Sequence, residues 1–262
     1  FIYGLYLTFT SWDGISKDKQ FVGFANYIAT FKDIAYWQAL GRTVIYSVIS
    51  VVLVNVVAFF LAYLLTSGIK GQNFFRAGFF IPNLIGGIVL GYVWKFVFNR
   101  AFVSIGKAVS IGALSNSWLA TPSGAIGMFD YCFCMAVCWL HDVNLYRRSD
   151  RCIRRPERSS QDRWCNESQT TRYIVLPLMR ASFTICMFLT ITRCFMIYDV
   201  NLSLTEGGPY GSTVMAAMYV FQKAFSAKQY GVGQTEAIIL FIFTAVIAVS
   251  QTIINKRKEV EA

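Results

Sequence analysis

Thr43 to Leu65 read TVIYSVISVVLVNVVAFFLAYLL, an apolar run without a single charge. A helix that crosses the hydrocarbon core of a bilayer needs about 20 apolar residues. The run therefore predicts a membrane-spanning helix. It stops at Thr66-Ser67-Gly68-Ile69-Lys70-Gly71, a polar turn punctuated by glycine.

Outward from this run the pattern repeats. A second apolar run covers about 77 to 98 and contains Pro82 and several Gly, which buried membrane helices tolerate because neighbours repair the backbone. Lys95 sits near its end, where its stem can snorkel to the interface. Ser104 to Gly124 is rich in Gly and Ser and reads as a loop. Ala125 to Leu140 is weakly apolar and makes a poor span, and Arg147 to Arg172 is polar and Arg-rich. Ala181 to Val200 is apolar except for Arg193 and Asp199. Thr205-Glu206-Gly207-Gly208-Pro209 is a turn signal. Ala237 to Ile254 is the last span, followed by Lys256-Arg257-Lys258. That basic tail predicts a cytoplasmic C-terminus. Counting back places the Lys70/Arg76 loop and the 147–180 loop inside as well. The segments 11–42 and 202–233 then lie outside. Phe1 to Phe9 is too short to span and reads as the tail of a first helix whose start is missing.

Composition agrees. The 262 residues are 55% hydrophobic and 15% charged, against about 25% charged in a soluble domain. Mean hydropathy is +0.48. The net charge of +10 sits between apolar runs instead of forming the stripe or patch that nucleic acid needs, so no nucleic-acid partner is expected. Five of the seven Cys (Cys132, Cys134, Cys138, Cys152 and Cys165) crowd near His141. They contain no C-x-x-C pair and match no finger spacing, so no metal is expected.

Several segments, in order and at matching spacing, resemble the sugar-type permease subunits of binding-protein-dependent ABC importers. They are Trp12-Asp13-Gly14, Phe21-Val22-Gly23-Phe24-Ala25-Asn26-Tyr27 and Tyr36-Trp37-Gln38-Ala39-Leu40. Next come Lys70-Gly71-Gln72-Asn73-Phe74-Phe75-Arg76 and Phe79-Phe80-Ile81-Pro82. The last are Ile174-Val175-Leu176-Pro177-Leu178, Tyr198-Asp199 and Leu204-Thr205-Glu206-Gly207-Gly208-Pro209. The resemblance implies an all-α integral membrane fold: a six-helix type I ABC importer transmembrane domain over 1–262, with its first helix truncated. It implies a cytoplasmic coupling loop at about 147–180, a second permease subunit, cytoplasmic ATP-binding subunits and an extracellular sugar-binding protein. The chain would be a multi-pass cell-membrane protein surrounded by the lipid bilayer. No G-x-x-x-x-G-K-[ST] loop occurs in it, so ATP acts on a partner. It is expected to be a transport subunit and not an enzyme, with no cofactor.

In that family the coupling loop carries Glu-Ala-Ala followed by Asp-Gly-Ala. Here 158–164 read Arg158-Ser159-Ser160-Gln161-Asp162-Arg163-Trp164. The stretch 129–172 also holds the only His and eight of the 24 basic residues, but no Gly. Reading its codons one base later restores the family pattern. Met135 before Ala136 must then become Trp, and Trp139 before Leu140 and Trp164 before Cys165 must become Gly. Permitted codons elsewhere give an apolar span followed by Glu-Ala-Ala at 158–160. The family spacing then lands on Ile174. The reading frame is therefore expected to change near Met128 and return near Arg172. By position, the residues expected at the ATPase contact are Arg158, Ser159, Ser160, Trp164, Ile174, Leu176 and Pro177. Pro177 cannot continue a helix and reads equally as an ordinary helix breaker.

Sugar sites combine aromatics with a few polar groups. Asn55, Tyr92, Trp94, Tyr198 and Asn201 are candidates for the substrate path by residue type. Interfacial aromatics and helix-packing polars of the same types are the competing reading. Arg193 and Asp199 are charges in or near a span, where charge is costly. They read as a pair, as contacts to a partner subunit, or in the case of Arg193 as a snorkelling residue. The expected cargo is a neutral oligosaccharide such as a maltodextrin or starch degradation product. The alternatives are a solute such as glycerol phosphate, or a non-functional frameshifted product. A polytopic membrane enzyme would need clustered carboxylates or His at membrane depth, and nothing in the sequence supplies them.

Overall fold

A computed structural model of the chain describes residues 1–66, 78, 81, 84–109, 117–135, 137 and 180–256. The described elements are helices α1 (Ile2–Leu7), α2 (Ala25–Lys32) and α3 (Ile34–Thr66), then α4 (Gly87–Ala108, through a π-turn at Val97–Ala101) and α5 (122–135). They continue with α6 (Arg180–Phe195), α7 (Asp199–Leu204), α8 (Ala216–Phe221, extended by a π-turn at Gln222–Ser226) and α9 (Tyr230–Lys256). Among the described residues, three helices are long and apolar enough to cross a membrane: Ile34–Leu61, Gly87–Ala108 and Tyr230–Lys256.

Several boundaries differ from the sequence expectation: α4 begins at Gly87, not near 77, and α9 at Tyr230, not Ala237. Helix α3 starts nine residues before Thr43 because Asp33 caps it: Asp33 Oδ1 accepts the amides of Ala35 (3.1 Å) and Tyr36 (3.4 Å). Helix α4 runs on to Ala108, into a stretch read as loop. The 181–200 run is not one helix, since α6 ends at Phe195 and α7 begins at Asp199.

The chain forms two compact units, 1–48 with 87–132 and 193–245, and 49–86 with 133–192 and 246–262. In the first, Tyr36, Phe129, Phe195, Leu204 and Met215 are fully buried, and the Tyr46 and Phe129 rings meet at 4.9 Å. Asn26 ties down the N-terminal segment by donating to the carbonyls of Thr8 (2.7 Å) and Thr10 (2.9 Å). In the second, Val54 and Ala58 are buried, and the Phe59 and Phe183 rings lie 5.9 Å apart.

Hydroxyls within the long helices bond back one turn: Thr43 to Ala39, Thr190 to Cys186, Thr244 to Leu240 and Thr252 to Ala248. Without water, each polar group must find its partner inside the protein. Val48, Val52, Val56 and Phe60 form an exposed apolar stripe on α3, as do Ile242, Val246, Val249 and Ile253 on α9. Such stripes suit lipid or another membrane helix, whereas in water they would be liabilities.

Candidate functional site

In the first unit α7 lies against α4 because Gly87 and Gly91, four residues apart, leave room for it. A methyl group on Gly87 would meet the Asp199 Cβ at 2.8 Å, and one on Gly91 the Ser203 Cβ at 2.9 Å. Small residues at this spacing allow helix backbones in membranes to approach closely. Ser203 donates its hydroxyl to the Asp199 carbonyl at 2.8 Å and reaches the Gly87 carbonyl of α4 at 3.4 Å.

The loop after α7 is held by side chains. Asn201 donates from Nδ2 to the Thr213 carbonyl (2.8 Å) and accepts the Thr205 hydroxyl on Oδ1 (2.9 Å). The Thr213 hydroxyl lies 2.8 Å from the Gly208 carbonyl and 2.9 Å from Thr205 Oγ1. Arg42 donates to the Gly211 carbonyl, and Thr43 Oγ1 accepts the Ala216 amide at 2.9 Å. Lys95 on α4 pairs with Glu206 at 2.7 Å. Gly207 at φ +84° takes the left-handed conformation that favours glycine. At the tip, Tyr210 is almost wholly exposed.

The candidate path residues have different surroundings. Tyr92 is exposed on α4, with Lys95 Nζ 5.9 Å from its ring centroid. Trp94 packs against Phe98 and Tyr131, both at 5.1 Å, within a cluster of rings. Tyr198 is half-buried on Phe221 at 4.7 Å. Asn201 is fully buried and both ends of its amide are engaged, so here it organises the loop and presents no free group to a solute. Through the α4–α7 contact the structure brings the segments of Tyr92, Tyr198 and Asn201 together. Asn55 belongs to the second unit. Its amide donates to the Val51 carbonyl at 2.7 Å, and its buried oxygen has no partner. Arg158, Ser159, Ser160, Trp164, Ile174, Leu176 and Pro177 lie outside the described residues.

A charged group that the sequence reading missed joins α2, α3, α8 and α9. Asp33 Oδ2 accepts both the Lys223 ammonium and the Tyr219 hydroxyl at 2.8 Å. Burial opposes ionisation of Asp33, but those two hydrogen bonds outweigh it and hold its carboxyl below the ordinary value. Burial opposes the charge on Lys223 too, and the bond to Asp33 reverses that and raises it. Tyr219 is raised by burial and by its bond to Asp33. Nearby, the Tyr36 hydroxyl donates to the Glu236 carbonyl at 3.0 Å. Glu236 is the only acid in α9 and is fully buried, with neither carboxylate oxygen hydrogen-bonded. A lone acid in a long apolar helix is itself a sequence signal. Glu236 stands immediately before the Ala237–Ile254 apolar run and so falls outside that run's boundaries.

No group of three His, Cys, Asp or Glu able to hold a metal occurs among the described residues.

No family model matches the chain. The chain is 35% identical over 270 residues to the "Probable starch degradation products transport system permease protein AmyD" of Thermoanaerobacterium thermosulfurigenes, covering 100% of this chain and 89% of that one. It is 29% identical over 262 residues to the multiple sugar-binding transport system permease MsmF of Streptococcus mutans, covering 98% and 89%. The trehalose/maltose transport system permease MalF of Thermococcus litoralis is 24% identical over 244 residues, covering 89% and 81%. Among solved structures, a bacterial ABC transporter involved in alginate import matches with a TM-score of 0.82 at 13% identity, over 98% of this chain and 90% of that one. A permease matched from end to end at this identity shares more than apolar helices. The chain belongs to the sugar-type permease subunits of ABC importers, multi-pass membrane proteins that move solutes and are not themselves enzymes.

Proposed function

We propose that this permease imports a neutral oligosaccharide of the maltodextrin class. The observation that carries the reading is the 35% identity, over the whole chain, to a permease whose name specifies starch degradation products. Tyr92, exposed beside the pinned 205–214 loop, suits a sugar face, since aromatic rings with a few polar groups line such sites. The chain would work beside a second permease, two cytoplasmic ATP-binding subunits and an extracellular binding protein, with its basic C-terminus in the cytoplasm. The 147–180 segment would dock on the ATPase and transmit its closure as a rigid-body motion. Ile174, Leu176 and Pro177 would set the chain's exit from that contact. Uptake of labelled maltotriose, in a strain lacking this gene and in the complemented strain, tests the cargo. Loss on deletion and return on complementation support the reading. Undiminished uptake of every maltodextrin tried defeats it.

A further inference from the structure

Glu236 has no place in the assignments above. It is a fully buried carboxylate with no hydrogen bond to either oxygen. Burying a charged or polar group without a partner is costly, and such a group persists where another state of the molecule satisfies it. The neighbouring π-turn carries a cation, Lys223, whose ammonium in this structure is given to Asp33 at 2.8 Å.

The backbone that carries Lys223 is irregular. Residues Gln222–Ser226 form a π-turn at the end of α8. Such turns hold one residue more per turn than an α-helix and recur at functional sites. Rewinding one to α geometry rotates the side chains on one side of it by about 100°, the angle each residue takes up in a helix of 3.6 residues per turn. The π-turn lies directly on α9, because a methyl group on Gly233 would stand 2.7 Å from the Ala224 Cβ. Glu236 is three residues beyond Gly233 and therefore on the same face of α9. The unpartnered carboxylate thus shares the helix face that meets the turn bearing Lys223. Tyr36 fixes the α9 backbone there by donating to the Glu236 carbonyl.

We infer that Lys223 is a two-position latch: it binds Asp33 in the conformation described here and passes to Glu236 when the α8 π-turn rewinds. Asp33 caps α3, so the exchange would release the start of one long helix and grip another. That is the kind of discrete repacking by which domains change state. The inference requires only that the chain cycles between two conformations as an ABC permease, and it is independent of which sugar is carried.

The test uses the assembled transporter in proteoliposomes, at rest and trapped with ADP and vanadate after ATP hydrolysis. Two cysteine pairs, D33C/K223C and K223C/E236C, are made in a background without native cysteines. The latch requires the pairs to form disulfides in opposite states, each at least several-fold more in one than in the other. A pattern indifferent to nucleotide state overturns it. Charge variants give a second reading. E236Q removes one seat and D33N the other, so they should shift basal ATP hydrolysis in opposite directions, each by several-fold at unchanged assembly. Shifts in the same direction, or none, also overturn the latch. The crosslinks remain decisive if either variant fails to assemble.

Discussion

Gly91 of α4 faces Ser203 of α7 so closely that a methyl group on Gly91 would clash with the serine Oγ. The hydroxyl could rotate away, but the Ser203 Cβ at 2.9 Å and the Leu204 amide at 3.3 Å could not. Overpacking of this kind costs about 1–3 kcal/mol. G91A should therefore lower the thermal stability of the purified complex by several degrees. Adding S203A should recover part of the loss, because it removes the nearest atom and leaves the Cβ. Melting curves for the two single variants and the double variant measure this coupling. Strictly additive losses would mean that α4 and α7 are not packed as described.

Asn201 and Tyr92 should separate in function. Both were expected to line the substrate path, yet the Asn201 amide is engaged at both ends whereas Tyr92 is exposed. N201A leaves the Thr213 carbonyl without its donor, a loss of about 1–3 kcal/mol for a buried group. Its expected signature is faster proteolysis within 205–214, with transport reduced only as far as the protein is lost. Y92A should leave stability within about 0.5 kcal/mol, as exposed substitutions do, and raise the apparent KM for sugar. An unchanged KM in Y92A, measured by uptake at varied concentrations, removes Tyr92 from the path.

The charged group at Asp33 should give the complex a defined response to pH. The Asp33 carboxyl is held below its ordinary value, so its contribution is complete above the ordinary carboxylate value of about 4 and fades as pH falls through the folded value. Lys223 is raised, so its contribution is complete below the ordinary lysine value of about 10.4 and fades as pH rises through the folded value. D33N retains a side chain able to cap α3 but removes the ion pair. It should lower stability between these limits by about 1 kcal/mol or less, the scale of a partly exposed pair, and flatten both edges of the profile. Thermal unfolding of wild type and D33N from pH 3.5 to 11 reads this. Unchanged edges in D33N would mean that the pair makes no contribution.

The long apolar helices were legible because lipid imposes one simple demand, a run of apolar residues of fixed length. Thr43–Leu65 and Ala237–Ile254 meet it, and both lie inside observed helices. The far end of α4 was not legible, since Asn99, Arg100, Ser104 and Lys107 resemble a loop in composition. The backbone remains helical there because each peptide group is satisfied within the segment whatever its side chains are, and the π-turn at Val97–Ala101 absorbs the irregularity. The packing role of Asn201 was hidden for a related reason. Residue type is compatible with a sugar contact and with packing alike, and its hydrogen-bond partner lies twelve residues on, across a turn whose geometry no local pattern reveals. Asp33 and Lys223 are 190 residues apart, a separation at which a single sequence carries no pairing signal.

The coupling segment gives the last prediction, and it concerns the gene as much as the protein. Positions 129–172 combine clustered Cys, eight basic residues and no Gly, in a chain otherwise apolar and glycine-punctuated. Read one base later, permitted codons would give an uninterrupted apolar run and then Glu-Ala-Ala at 158–160, at the family's expected spacing from Ile174 and Pro177. A permease without that motif would lack its contact with the ATPase. Two measurements follow. Resequencing the coding DNA should reveal a compensating pair of one-base changes near the codons of Met128 and Arg172. Peptide mass spectrometry of the purified protein should recover fragments of the shifted reading and none containing Cys152 or Cys165. If peptides with those cysteines are found, the chain exists as written. Import should then fail in a strain carrying this gene alone, with ATP hydrolysis by the assembled subunits unresponsive to the loaded binding protein. If the shifted peptides are found, alanine substitution within the restored motif should abolish sugar uptake while leaving assembly of the two permeases intact.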